Sequence, residues 1–343
     1  MPQSLEFGLD TFGDVTTGAD GRLKPQPEVL RDVVEEAVLA DEVGVDFIGL
    51  GEHHRDDFAI SAPEVVLAAI AARTRRIRLG TAVTVLSTDD PVRLFQRFAT
   101  LDALSEGRAE VMLGRGSFTE SYGLFGFSLE DYEALFEEKL ALFAALIRQP
   151  EVTWSGISRA PLRRQRVWPP LGPGGLKTWI GVGGSPGSVL RAVRHDLPMM
   201  LAIIGGSPRR FLPFVDLYQR SYAEIGKVPQ PLGVHSPGHI APTDAEAQAE
   251  AFPAYMALHD RIGRERGWPA ITRADFEREI EHGALYVGAP ETVARKIAAT
   301  TRALGLARFD LKYSMGPLPH AALMRSIGLY GSVVIPRVRA LLA

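Results

Sequence analysis

The chain has 343 residues, 46% hydrophobic and 23% charged, enough apolar material for a large core and a length that suits an α/β barrel with insertions. A net charge of −3 gives no electrostatic case for nucleic acid or an anionic membrane, and no apolar run approaches a membrane span. Zero cysteines exclude disulfides, thiolate metal sites and a cysteine nucleophile. The opening "MPQSLEFGLD" lacks a basic segment followed by an apolar one, so the expectation is a cytoplasmic protein.

The chain reads as strand-then-helix units. "LEFGL" (Leu5–Leu9) is a short strand. The next segment carries an apolar stripe at Leu30, Val33, Val34, Ala37 and Val38 and stops at Gly44, as a helix does. "VDFIGLG" is the second strand. Ser61 and Glu64 have the spacing of a capping box ahead of the second helix. "IRLGTAVTVL" reads as an unbroken strand covered on both faces. Pro91 opens a third helix that Gly107 stops. "RAEVMLG" is a fourth strand and "SLEDYEALFEEKLALFAALI" a long fourth helix.

Residues 150–176 break the rhythm as a Pro/Gly-rich excursion, read as an inserted hairpin. It then resumes with "TWIGVGG", a helix from Ser185, "PMMLAIIGG" and a helix from Pro208. "LGVHSPGHIA" and "RFDLKYSMG" are the last two strands, separated by helices around Ala245–Ile262, Arg273–His282 and Glu291–Leu304. Eight strands alternating with helices require parallel pairing, and predict a closed (β/α)8 barrel formed by residues 1–343 as one domain.

Chemistry in such barrels sits where strands end and βα loops begin. The second strand runs into Glu52, His53 and His54 at that place. The structural alternative is a histidine that caps a carbonyl and a glutamate paired with an arginine. Asp56 and Asp57 read as solvated loop charges. One functional reading is a metal site to which His235 and His239 could add ligands. Consecutive strand residues point to opposite faces, however, which disfavours His53 and His54 on one ion unless the strand has already ended. The other is a cofactor or substrate site in which one histidine is acid, base or hydrogen-bond donor.

Gly183 and Gly184 lead into a helix with Ser185 as N-cap and Pro186 first. Free N–H groups there, with the Ser185 and Ser188 hydroxyls, suit a phosphate. Gly205, Gly206, Ser207 and Pro208 repeat the pattern before two arginines, and the residues alone do not rank the two sites. Arg115, between Gly114 and Gly116 at the end of the fourth strand, could clamp a phosphate or pair with a loop acid. Phe118, Tyr122, Phe125 and Phe127 could wall a planar ring or pack their loop on the long helix.

Together these segments resemble the bacterial luciferase-like family of flavin-dependent monooxygenases. The resemblance runs nearly end to end: "EHH", "IRLGTAVTVLSTDDPVRLFQRFATLDALSEGRAEVMLGRG", "VWPP", "WIGVGG", "LPMMLA" and "YVGAPETVARKI". It implies a TIM-type barrel with FMN across its mouth. His53 would be the catalytic or flavin-contacting histidine, with His54 and Glu52 beside it. A cis peptide at Ala82–Val83 would shape the floor beneath the flavin, and Arg115, Ser185 and Ser188 would hold its phosphate, favouring the first Gly-Gly-Ser-Pro. This chain departs from luciferase at Gly114, where luciferase has a cysteine beside the reactive flavin carbon, and at Gly184, where it has an acid. Light emission and a long-chain aldehyde substrate are therefore not expected.

The resemblance thus implies a two-component monooxygenase that uses reduced FMN and O2 to oxygenate a small organic substrate, with no resident metal. A separate NAD(P)H:flavin reductase would supply the flavin, consistent with the absence of a Gly-x-Gly-x-x-Gly nucleotide fingerprint. An F420-dependent oxidoreductase and a non-catalytic flavin-binding protein are the alternatives. A homodimer through the second and third helices is expected on the same ground, and the Thr153–Gly175 excursion is expected to help line the substrate pocket.

Overall fold

The computed structural model describes residues 5–343, so residues 1–4 of the opening segment lie outside the described residues. In chain order the strands are β1 (Glu6–Thr11), β2 (Phe47–Leu50), β3 (Arg78–Thr81), β4 (Thr84–Val85), β5 (Glu110–Gly114), β6 (Val152–Trp154), β7 (Leu162–Gln165), β8 (Lys177–Val182), β9 (Met199–Ala202), β10 (Leu232–Ile240), β11 (Tyr286–Gly288) and β12 (Arg308–Lys312). The helices are α1 (Gln26–Glu42), α2 (Pro63–Arg73), α3 (Pro91–Leu104), α4 (Glu120–Phe125), α5 (Tyr132–Leu146), α6 (Pro186–Arg194), α7 (Leu212–Glu224), α8 (Asp244–Arg266), α9 (Arg273–Glu281), α10 (Pro290–Leu304), α11 (His320–Leu329) and α12 (Ile335–Leu342).

All pairing in the main sheet is parallel, in the order β3-β2-β1-β12-β10-β9-β8-β5-β4. A parallel bridge between Leu79 and Ala109 brings β3 to the β5 side and nearly closes the barrel. β3 and β4 are two halves of one strand, so the barrel has the expected eight staves. The third strand is not the unbroken element predicted, because it is interrupted at the Ala82–Val83 peptide, which is cis as the resemblance implied.

The strands also depart from apolar faces on both sides. In β12, Phe309 and Leu311 join the core between sheet and helices, while Arg308, Asp310 and Lys312 alternate with them; Arg308 and Lys312 carry polar contacts of the barrel interior. At one end of the barrel Arg308 is fully buried and donates to Glu110 Oε2 (2.8 Å) and Glu6 Oε2 (2.8 Å), and Trp179 Nε1 donates to Glu110 (3.0 Å). Burial alone would raise the Glu110 carboxyl, but Arg308, Lys177 and Arg78 hold it down to about 2. A buried charge survives there because its lone pairs are taken. Asp310 has no hydrogen-bond partner for either oxygen among the described residues, and burial raises its carboxyl well above the usual range.

Ser61 does not cap α2. The N-cap is Ala62, with Pro63 as the first helical residue, and Glu64 lies 3.4 Å from Arg97 instead. The excursion after α5 contains the expected hairpin, β6 antiparallel to β7. Its tip is held by α5, whose Glu138 accepts from Ile157 N (2.6 Å) and Ser158 N (2.7 Å), and Arg159 Nε donates to Asp90, the N-cap of α3 (3.0 Å). No helix among the described residues is long and apolar enough to cross a membrane.

Candidate active site

The residues after β2 diverge as soon as the strand ends. Glu52 N donates to Val83 O (3.2 Å), and Glu52 Oε2 accepts from Val85 N (2.9 Å). Glu52 therefore clasps the interrupted third strand just past its break, at Val83 and Val85. Its other oxygen lies 3.0 Å from His54 Nε2, and the His54 ring meets Phe125 edge-on at 5.1 Å.

His53 turns the other way. Its ring lies 4.5 Å from Phe12, 4.6 Å from Phe58 and 5.0 Å from Phe118, an aromatic cage drawn from three different βα segments. No group among the described residues hydrogen-bonds its ring nitrogens. Desolvation by this cage is the main reason its pKa falls to about 3; Asp14 opposes the fall, while Lys312, Arg55 and His54 add to it. The imidazole is neutral at physiological pH, so it can accept and donate one hydrogen bond but stores no proton there.

The cage is tied down by charges. Lys312 sits 4.5 Å over the Phe12 ring and donates to Asp14 Oδ2 at 3.0 Å. Phe118 lies under Arg55 (4.8 Å) and Arg266 (4.5 Å). Arg55 in turn pairs with Asp57 (2.9 Å), Glu120 (2.6 Å) and Glu265 (2.6 Å). Asp56 is exposed and pairs with Arg261. Asp57 is not the solvated charge expected, since it is largely covered and bonded to Arg55 and Arg261.

The four histidines offered for a metal do not converge. His235 Nδ1 is 2.7 Å from Asp10, His239 Nε2 is 2.7 Å from Glu250, His54 is on Glu52 and His53 is in its cage. Among the described residues, no three histidines or acids are grouped as metal ligands would be.

Beside the strand break, Val83 packs on Met112, Trp179 and Met200, with one face open to the barrel mouth. Two glycines make room for it. A Cβ on Gly181 would sit 3.2 Å from Val83 Cγ1, and one on Gly114 would sit 3.0 Å from Val83 Cβ. Gly114 therefore leaves the volume that the valine side chain fills.

Beyond β5 and β8 lies a cluster of donors. Ser185 caps α6 by accepting from Ser188 N, and its hydroxyl is 2.9 Å from that of Ser188. Arg115 Nη2 donates to Ser188 Oγ at 3.3 Å and Arg191 Nη1 at 3.2 Å. Gly184 takes φ +101°, a conformation suited to glycine, and a Cβ on Gly183 would meet nothing within 4 Å. Arg191 was absent from the sequence reading, although it follows Ser188 by one helical turn and so shares its face.

At the second Gly-Gly-Ser-Pro, Gly206 N donates to the Glu279 carboxylate (2.9 Å), and a four-residue 3-10 turn from Pro208 leads into α7. A carboxylate already satisfies that N–H. The aromatic candidates divide similarly. Phe118 and Phe125 face His53 and His54, whereas Tyr122 stacks on Tyr132 (5.6 Å) and Phe127 lies under Lys139 (4.1 Å), packing the loop on α5.

Solved structures share this fold along nearly the whole chain. Monooxygenase RslO1 from Streptomyces bottropensis has a TM-score of 0.84 at 22% identity, covering 97% of this chain and 99% of that one. The oxygenating constituent of 3,6-diketocamphane monooxygenase of Pseudomonas putida, solved in complex with FMN, scores 0.80 at 19% identity over 98% and 99% of the chains. An F420-dependent secondary alcohol dehydrogenase with an F420–acetone adduct scores 0.75 at 16% identity over 98% and 99%. Likeness of fold therefore does not separate the two cofactors. Among curated relatives, the alkanal monooxygenase alpha chain of Photorhabdus luminescens is 29% identical over 209 residues, 59% of this chain and 55% of that one. The oxygenase component of flavin-dependent trigonelline monooxygenase of Acinetobacter baylyi is 32% identical over 98 residues, 28% and 27% of the two chains. The chain thus spans about half or less of the length of these curated relatives. The family description that fits residues 11–308, most of the sequence, is that of luciferase-like monooxygenases, and the chain belongs to that family.

Proposed function

We propose that this chain is the oxygenating component of a two-component flavin-dependent monooxygenase, taking reduced FMN and O2 and acting on a small organic substrate. The observation that carries this reading is the donor cluster of Arg115, Arg191, Ser185 and Ser188 at the α6 N-terminus. Guanidinium, hydroxyl and backbone N–H groups are the donor set a phosphate needs, and the bare Gly183 beside Gly184 leaves backbone accessible. Ala82, Val83 and Gly114 would form the floor for the flavin ring. Bound reduced flavin supplies the electrons that activate O2.

The protein's own part is binding, orientation and exclusion of water. Phe12, Phe58 and Phe118 keep water from one side of His53, whose unshared ring nitrogens can accept one hydrogen bond and donate another beside the reacting atoms. Glu52 and His54 are positioning residues in this reading, because both are already engaged with each other. The trigonelline relative's designation as an oxygenase component supports a separate reductase. Exposed Val65 on α2 and Leu104 on α3 support a homodimer through those helices. The same reading takes residues 1–343 as one barrel unit working in the cytoplasm.

An F420-dependent hydride transfer on the same scaffold is the second reading, kept because the F420-dependent secondary alcohol dehydrogenase has this same fold. Anaerobic titration with reduced FMN and reduced F420, repeated with Ser188→Ala, tests both. Tighter binding of FMN, weakened by the substitution, is the expected result. A preference for F420 would move the chain to hydride transfer, and binding of neither would sink both readings.

A further inference from the structure

We propose that Glu133 is a displaceable internal anion that stands where the cofactor phosphate would bind and so sets how tightly and how long the chain holds FMN. The inference rests on the phosphate reading above and concerns its regulation. Glu133 lies in the first turn of α5. One of its oxygens is paired with Arg115, and the other lies 3.1 Å from Arg191 Nη2. The same two guanidiniums meet at Ser188 Oγ, at 3.3 and 3.2 Å. A carboxylate and the proposed phosphate therefore draw on one pair of cations.

The two sides of this contact differ in freedom. The Arg191 side chain is 6% exposed, and its Nε is fixed on Glu137 at 2.6 Å, so it cannot turn to solvent. The Glu133 side chain is 61% exposed and can swing out. Outside, it still lies near the positive end of the α5 dipole, which favours an acid in the first turn. A dianion that engages both arginines and both serine hydroxyls has more donors than a single carboxylate held from one side.

Charge tells the same story. Arg115, Arg191 and Arg194 face Glu133 and Glu137, three cations against two anions, so an arriving phosphate meets a nearly neutral cluster. Its binding requires the exchange of one anion for another and is correspondingly moderate. At the second Gly-Gly-Ser-Pro the acid is built in: Glu279 takes Gly206 N (2.9 Å) and Ala284 N (3.3 Å) together. Glu279 is a permanent plug, and Glu133 a removable one. Moderate affinity suits a protein that accepts flavin from one partner and gives it back.

The test is anaerobic equilibrium and stopped-flow titration of FMN and riboflavin with the wild type, Glu133→Gln and Glu130→Gln. Glu130 is exposed in the neighbouring turn and removes one nearby charge without an arginine contact. The expected result is that Glu133→Gln tightens FMN roughly tenfold, about 1.4 kcal/mol, and slows its release. Riboflavin affinity and the Glu130→Gln titration stay close to wild type. Unchanged or weaker FMN binding in Glu133→Gln would overturn the proposal, as would an equal gain in Glu130→Gln. Should wild-type protein bind FMN no better than riboflavin, and Ser188→Ala alter neither, the phosphate reading itself fails and takes this inference with it.

Discussion

Replacing Gly114 by alanine tests the packing beneath the barrel mouth. The added Cβ would lie 3.0 Å from Val83 Cβ and 3.2 Å from Val83 Cγ1, and closer still to Cγ2. Rotating Val83 about χ1 cannot relieve the contact, because its Cβ is fixed by the backbone and is itself too near. A β-branched side chain also has few rotamers to offer. Its remaining surface is against Met112, Trp179 and Met200, and Gly181 has only 3.2 Å to give. Overpacking of this kind costs about 1–3 kcal/mol. An unfolding entropy of roughly 2.1 cal/mol/K per residue over 343 residues makes that a fall in Tm of about 1–4 °C.

Val83→Ala alone should cost about 1 kcal/mol, since the side chain is only partly buried. The double variant should recover most of the loss, giving a coupling of about 1–3 kcal/mol in a thermal or urea unfolding cycle. Costs that simply add, or a Gly114→Ala protein as stable as wild type, would refute the argument. The same reasoning accounts for the departure from luciferase at this position: a cysteine needs a Cβ, and here a valine already takes its space.

The His53 ring should stay neutral in an NMR titration down to about pH 3, and Phe118→Ala should move its pKa up toward 6.5 by admitting water. Because the folded value is lowered, the stability associated with this ring is present above pH 6.5 and is lost as pH falls toward 3. An unmoved pKa in Phe118→Ala would show that the cage is not its cause. Glu36, buried with its carboxyl bonded to Tyr313 OH (2.6 Å) and 3.2 Å from His320 Nδ1, has the opposite sign. Burial raises it to about 7, so its contribution is full below pH 4.5 and is lost as pH rises through 7, an effect of about 3 kcal/mol. Glu36→Gln should remove that slope from urea unfolding midpoints measured between pH 4.5 and 8; an unaltered slope would assign it elsewhere.

The barrel was legible because its signals are local. Strand runs, helical stripes and glycine stops lie within a few residues of one another, and eight alternations leave little choice of topology. What failed needed distant partners or very short elements. Nothing near Arg308 announces Glu6 and Glu110, which lie 302 and 198 residues away, so β12 read as an ordinary apolar strand. The second Gly-Gly-Ser-Pro could not be set below the first without Glu279, 73 residues on. α4 is only six residues long and β11 three, too short for a period to register. Arg191 is the exception, since its helical spacing from Ser188 was there to be used.

The Glu52-His53-His54 segment shows both the reach and the limit of such reading. Its place at a strand end singled it out, and the alternation of side chains argued against a shared ion. β2 ends at Leu50, so that alternation does not reach the histidines, which are held apart instead by their different partners. On one side Glu52 bonds to Val83, Val85 and His54 together, so the acid and the second histidine brace the interrupted strand. On the other, His53 enters a cage whose walls come from Phe12, Phe58 and Phe118. A motif that reads as three adjacent polar residues thus splits into a structural clasp and one isolated neutral imidazole. Among the described residues neither ring nitrogen of His53 has a protein partner, whereas His54 commits one to Glu52, and for that reason the proposed chemistry is assigned to His53 while Glu52 and His54 position the strand beneath it.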